Sequence, residues 1–189
     1  EVEISGNTAT ATVPLRIQSM PQNTGRITVS GGNVFTADKV SSICCGGSSA
    51  NFFGRGILVF NSDGPVEIIG NTITATDGDA TPNEGIGGID IFNARVDLID
   101  GVSFGTVEDP AVSVRTFNGE SNLGALSGYD GSLNFSNVQG DVLFVDPTSS
   151  ARVIENDLSG SAFGGLSRLN YNGETKDLSG NWWGSNDFS

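Results

Sequence analysis

Apolar and polar residues alternate along several short stretches of this chain, and the stretches resemble one another. Residues 2–12 read Val-Glu-Ile-Ser-Gly-Asn-Thr-Ala-Thr-Ala-Thr, and residues 66–76 read Val-Glu-Ile-Ile-Gly-Asn-Thr-Ile-Thr-Ala-Thr, identical at nine of eleven positions. Residues 27–37 repeat the outline with one extra glycine, and residues 96–104 match 27–35 in length. Residues 153–160 and 178–183 follow the same outline, and 133–140 form a fainter copy, seven in all. Each copy carries two or three alternating apolar positions, then Gly-Asn or a similar pair, then another apolar residue. Alternation of period two predicts a strand with one buried face. Glycine and asparagine tolerate left-handed backbone angles, so the pair predicts a sharp corner followed by a second short strand.

A second strand type precedes most copies by a few residues, at 56–60, 88–92, 111–114, 142–145 and 166–171. Its starts lie 32, 23 and 31 residues apart between Gly56, Gly88, Ala111 and Val142. The shortest interval suits one turn of a stacked coil, and the longer ones suit turns with insertions. Equivalent segments recurring in one order and one direction predict parallel stacking of like strand on like, with a buried column of Val, Ile, Leu and Phe. A sandwich of antiparallel hairpins would call for two-residue turns between neighbouring strands and gives no reason for near-identical strands far apart. Sustained helical periodicity is absent, so helices should be few.

The Gly-Asn-Thr-Ile type repeats, together with the ending Asn181-Trp182-Trp183-Gly184, resemble right-handed parallel β-helix repeat proteins of the pectin-lyase-like superfamily. The likeness covers nearly the whole chain and is closest to the repeat domains of secreted and cell-surface proteins. It implies an all-β fold: a single-stranded right-handed β-solenoid of about six coils with loop insertions, one domain over residues 1–189. Asn7, Asn33, Asn71, Asn156 and Asn181 fall at corresponding corners, where stacked side-chain amides would satisfy the turn backbone. Trp182 and Trp183 take the positions of Thr72 and Ile73, which points one ring inward and leaves the other, Trp182 in our reading, as a candidate sugar-stacking platform.

Composition narrows the partners. Twenty-two acidic residues against nine basic ones give a formal net charge of −13, with lysines only at 39 and 176. That surface lacks the basic stripe that phosphate contacts require, so nucleic acid and anionic membranes are poor partners. No stretch is apolar enough to span a bilayer, so direct membrane insertion is not expected. The chain opens inside a patterned segment without Met or a leader pattern, and we expect a processed chain or a piece of a longer protein. Cys44 and Cys45 are adjacent, a spacing that cannot staple distant loops and leaves two thiols, a strained vicinal disulfide or an intermolecular link. With no histidine in the chain, zinc lacks ligands.

Three long insertions, at 38–55, 76–87 and 118–131, mark where function would gather. The first two follow the same Thr-Ala ending and should emerge side by side. Phe52 and Phe53 in the first, with Asp77, Asp79 and Glu84 in the second, are candidate binding residues. The latter three also form a candidate calcium site, since calcium prefers several carboxylate oxygens; calcium is the one cofactor considered. An enzyme reading would draw on Asp90, Asp97 and Asp100 near Arg95 and Arg115, but the paired-aspartate and His-Gly motifs of the superfamily's hydrolases are missing. Strand aspartates such as Asp90 and Asp97 are expected to face solvent. The function expected is a non-catalytic structural or binding module of an extracellular or cell-surface protein, adhesin-like or a spacer, its coil ends capped by neighbouring domains or subunits. The alternatives are a carbohydrate-active enzyme or polysaccharide-binding fragment, and a phage or virus fibre segment.

Overall fold

The computed structural model describes residues 1–18, 25–38, 54–62, 66–76, 87–94, 96, 98–107 and 111–115, and strand backbone at 125–130, 143–145, 150–153, 169–171 and 176–177. The chain visits three sheets in turn. Val2–Ser5 (β1), Thr8–Ala11 (β2) and Leu15–Gln18 (β3) open sheets one, two and three. Ile27–Ser30 (β4), Val34–Ala37 (β5) and Arg55–Ser62 (β6) form the next round, and Val66–Ile69 (β7), Thr72–Ala75 (β8) and Gly87–Ala94 (β9) the one after. Leu98–Asp100 (β10), Ser103–Val107 (β11) and Val112–Arg115 (β12) follow. Sheet one continues through Ala125–Asp130 (β13), Ser150–Val153 (β15) and Lys176–Asp177 (β17); sheet three continues through Leu143–Val145 (β14) and Leu169–Tyr171 (β16). Every pairing between described strands is parallel. The result is an all-β arrangement consistent with a β-solenoid.

Recurring letters lie on one another. Ile4 pairs with Val29, Val29 with Ile68 and Ile68 with Ile99, which turns the alternating apolar positions into a column through sheet one. Ala9, Phe35, Ile73 and Phe104 form the corresponding column in sheet two, and Ile57, Ile89 and Val112 in sheet three. Nearly all of these side chains are buried in one core, with only Ile4 and Ala9 of the first round partly exposed. Large residues on one wall are met by small ones on another. A Cβ at Gly56 would press into Ile73 Cγ2, and one at Gly88 into the Phe104 ring. The glycine in second place in β6 and in β9 therefore makes room for the bulky sheet-two residue across the core.

The corner between sheets one and two divides its labour between two residues. Gly6, Gly31, Gly32, Gly70 and Gly101 take the left-handed backbone angle, which costs a residue without Cβ almost nothing. The asparagine that follows supplies hydrogen bonds. Asn7 Nδ2 donates to Asn33 Oδ1 (3.0 Å), and Asn33 Nδ2 donates to Asn71 Oδ1 (2.8 Å). Asn33 Nδ2 also donates to the Ile4 and Ser30 carbonyls, and Asn71 Nδ2 to those of Val29 and Ile69. Buried amides are thus satisfied from above, below and beside. In the next round Val102, fully buried, stands at the corner before Ser103. Asn156 and Asn181 lie outside the described residues, as do residues 133–140 and 178–183.

Two expectations need correcting. Residues 125–130, assigned to the third insertion, are strand β13 of sheet one, with Tyr129 beside Ile99 and Asp130 beside Asp100. The letters Ala-Leu-Ser-Gly-Tyr-Asp carry too few apolar positions to announce a strand, and the parallel neighbours on both sides supply what local sequence lacks. The copy at 153–160 begins on the last residue of β15, so its sheet-one strand lies earlier than the letters imply.

Candidate functional site

The first two insertions leave and return side by side. Ala37 pairs with Ala75 where sheet two ends, and Arg55 pairs with Gly87 where sheet three begins. Backbone bonds tie both margins: Thr76 N–H donates to the Ala37 carbonyl (3.1 Å) and Gly87 N–H to the Gly54 carbonyl (3.0 Å). The shared edge expected from the common Thr-Ala ending is therefore present. The strands claim Arg55 and Gly87, the last residues of the two insertions as read from sequence.

Directly below this edge lies a cluster of buried polar groups. In sheet three, Arg16, Leu58, Asp90 and Ser113 share one register. Their strand neighbours Ile57, Val59, Ile89, Ile91 and Val112 face the core, so this column points the other way. Arg16 is exposed, yet Leu58, Asp90 and Ser113 are all buried. At this register the outer face of sheet three is buried in the second, third and fourth rounds, and this overturns the expectation that Asp90 faces solvent. Period two tells which side of the sheet a residue takes, not whether that side is wet.

Burial requires Asp90 to find partners. Arg55 Nε donates to Asp90 Oδ2 at 3.1 Å, and Ser113 Oγ donates to Oδ1 at 2.6 Å. The ion pair is about as dry as the core, with side-chain exposures of 9% and 7%. Arg55 Nη1 also donates to the Gly54 carbonyl (2.8 Å), and its backbone N–H to the Thr12 carbonyl (2.9 Å). Arg55 is thereby tied both to the insertion margin and to the preceding round. Both oxygens of Asp90 accept from neighbouring side chains.

On the same outer face the Phe60 and Phe92 rings stack at 5.3 Å between centroids and 12° between planes. The Arg16 guanidinium lies 5.4 Å from the Phe60 centroid, within reach of a cation–π contact. Both rings are half-buried, and Arg115 is next to Phe92 in register.

The residues singled out by sequence, Phe52, Phe53, Asp77, Asp79, Glu84, Trp182, Cys44 and Cys45, lie outside the described residues, as do Arg95 and Asp97. Asp100 lies in sheet one, away from Asp90 in sheet three, so these two do not share a strand face. Among the described residues, no three His, Cys, Asp or Glu side chains gather as a metal site, and no helix is long and apolar enough to cross a membrane. Sequence reasoning missed Arg55 and Ser113. The available signal was the charge of Arg55 immediately before the apolar strand Gly-Ile-Leu-Val-Phe and the Asp within the equivalent strand Gly-Ile-Asp-Ile-Phe.

No protein-family model, curated protein or solved structure matches the chain.

Proposed function

We propose that the chain is a right-handed parallel β-helix of the pectin-lyase-like kind, serving as a non-catalytic structural or binding module of an extracellular or cell-surface protein. The six described strands of sheet three suit about six coils. Right-handedness is the general rule for a connection that returns to pair in parallel within one sheet. The observation that carries the functional reading is the state of Asp90. Among the described residues it is the aspartate of the enzyme reading that lies in sheet three, and it is buried with both oxygens bonded to Arg55 and Ser113. A carboxylate buried and paired in this way holds neighbouring strands together and is shielded from a substrate in solution. At the first round, β1, β2 and β3 each form a sheet edge and Val2 is 53% exposed. Exposed strand edges invite pairing, which supports a neighbouring domain or subunit over that end.

A polysaccharide-binding role is a second reading, favoured by the half-buried Phe60–Phe92 stack with Arg16 over it. Incubating the chain with soluble polysaccharides, with and without calcium, separates the classes. Neither new reducing ends nor unsaturated products should form. Turnover that disappears in Asp90→Asn, with the fold intact by circular dichroism, would overturn the non-catalytic reading. Retention on a polysaccharide without turnover, lost in Phe60→Ala, would favour the second.

A further inference from the structure

We propose that the outward face of sheet two is an ice-binding surface. The argument rests on sheet two alone and goes beyond the structural-module reading. Core positions Ala9, Phe35, Ile73 and Phe104, and the next inward set Ala11, Ala37 and Ala75, place the alternate residues outside. Those outward residues form two in-register columns: Thr8, Val34, Thr72 and Ser103, then Thr10, Thr36 and Thr74. Five of the seven are exposed and the other two half-buried. Val34, at 39%, is one of two exposed large apolar side chains among the described residues.

Neither column holds a charge, in a chain with a formal net charge of −13. The other sheets do carry charges on their outward faces, with Glu3, Glu67 and Asp100 on sheet one and Arg16 and Asp90 on sheet three. The first charge on this side is Asp38, just past the end of β5. The columns make a rectangular lattice with spacings of about 4.8 Å between strands and about 6.6 Å along them. Its members, mostly threonine, are β-branched and stiff about χ1, so they hold methyl and hydroxyl groups at fixed repeat with little rotamer freedom left to lose. A ligand suited to such a face is itself flat, uncharged and periodic in two dimensions, with hydrogen-bonding groups at similar spacing. The surface of ice, an uncharged and repeating plane of hydrogen-bonding oxygens, has those properties.

Other occupants fit less well. Over the four described strands the face measures about 15 by 10 Å from strand spacing and rise. That is roughly 150 Å² a side, against about 800 Å² per partner in a stable protein interface, so a second copy is disfavoured. Sugar recognition favours aromatic platforms, and the phenylalanines of sheet two, Phe35 and Phe104, point into the core. Among the described residues the lattice ends at β11, where the register shifts between Phe104 and Val107. An array this short should act at modest strength.

The test is incorporation of the purified chain into slowly growing ice, with inhibition of ice recrystallisation as a second readout. The wild-type chain should enter ice. Thr36→Lys and, at an exposed position, Val34→Glu should each lose incorporation, whereas Thr28→Lys on the outward face of sheet one should retain it. Circular dichroism and melting temperature identify any variant that has lost its fold, and the exposed Val34→Glu decides the matter if Thr36→Lys unfolds. Exclusion of the folded wild-type chain from ice overturns the proposal, as does undiminished incorporation of folded Val34→Glu. Exclusion from ice combined with binding to crystalline cellulose or chitin overturns it in favour of a polysaccharide surface. Failure here leaves the structural-module reading intact, because polysaccharide turnover judges that reading separately.

Discussion

The asparagine ladder and the Arg55–Asp90–Ser113 cluster both bury polar groups, but by opposite means. In the ladder one neutral side chain recurs at one corner, and each copy satisfies the next through the same bond. The cluster joins three different side chains from three strands of sheet three, two of them charged. A neutral amide that loses its neighbour forfeits hydrogen bonds. A buried charge that loses its partner also retains an uncompensated desolvation cost. Repetition therefore gives graded stability along the ladder, while the cluster is close to all-or-none.

The sharpest way to break this comparison is Asp90→Ala, which strands Arg55 in a dry environment. It should lower unfolding free energy by about 3–5 kcal/mol, read from urea denaturation, with the fold still two-state. A loss smaller than that of any ladder variant would remove the distinction. Asn33→Ala comes next. It deprives the Ile4 and Ser30 carbonyls and the Asn71 side chain of a donor, and should cost about 2–3 kcal/mol. Asn7→Ala, at the exposed end of the same ladder, should cost about 1 kcal/mol or less, and equal losses at the two rungs would argue against grading.

Replacing both charges sharpens the contrast from the other side. Arg55→Met combined with Asp90→Leu should fall within about 1 kcal/mol of the wild type, because the penalty of Asp90→Ala belongs to the orphaned charge. A double variant as unstable as Asp90→Ala would show that packing, not charge, carries the cluster. The smallest effect is expected at Ser62, whose buried hydroxyl has no hydrogen-bond partner among the described residues. Ser62→Ala should leave stability unchanged or raise it by up to about 1 kcal/mol; a clear loss would mean the hydroxyl is satisfied in solution.

The fold was legible wherever the same letters returned. Ile4, Val29 and Ile68 are apolar at equivalent repeat positions, and they stack as the repeat implies. The second strand type was equally readable, and its segments all fall in sheet three. Legibility failed at residues 125–130, where strand β13 is held by its neighbours and not by its own pattern. It failed again at Asp90, since alternation assigns a side of the sheet and is silent about what covers that side. Arg55 was hidden for a related reason. It reaches Asp90 from a strand 35 residues earlier in sequence, and no repeat position links the two.

The sequence by itself determined the recurring strands, the glycine–asparagine corners and the parallel stacking, because each follows from local periodicity and from identical segments having identical partners. Only the tertiary structure decided which outward faces are buried and which are open. Exposure is a property of the whole chain's path, so the same alternating pattern yields a dry charged cluster on sheet three and an open threonine lattice on sheet two.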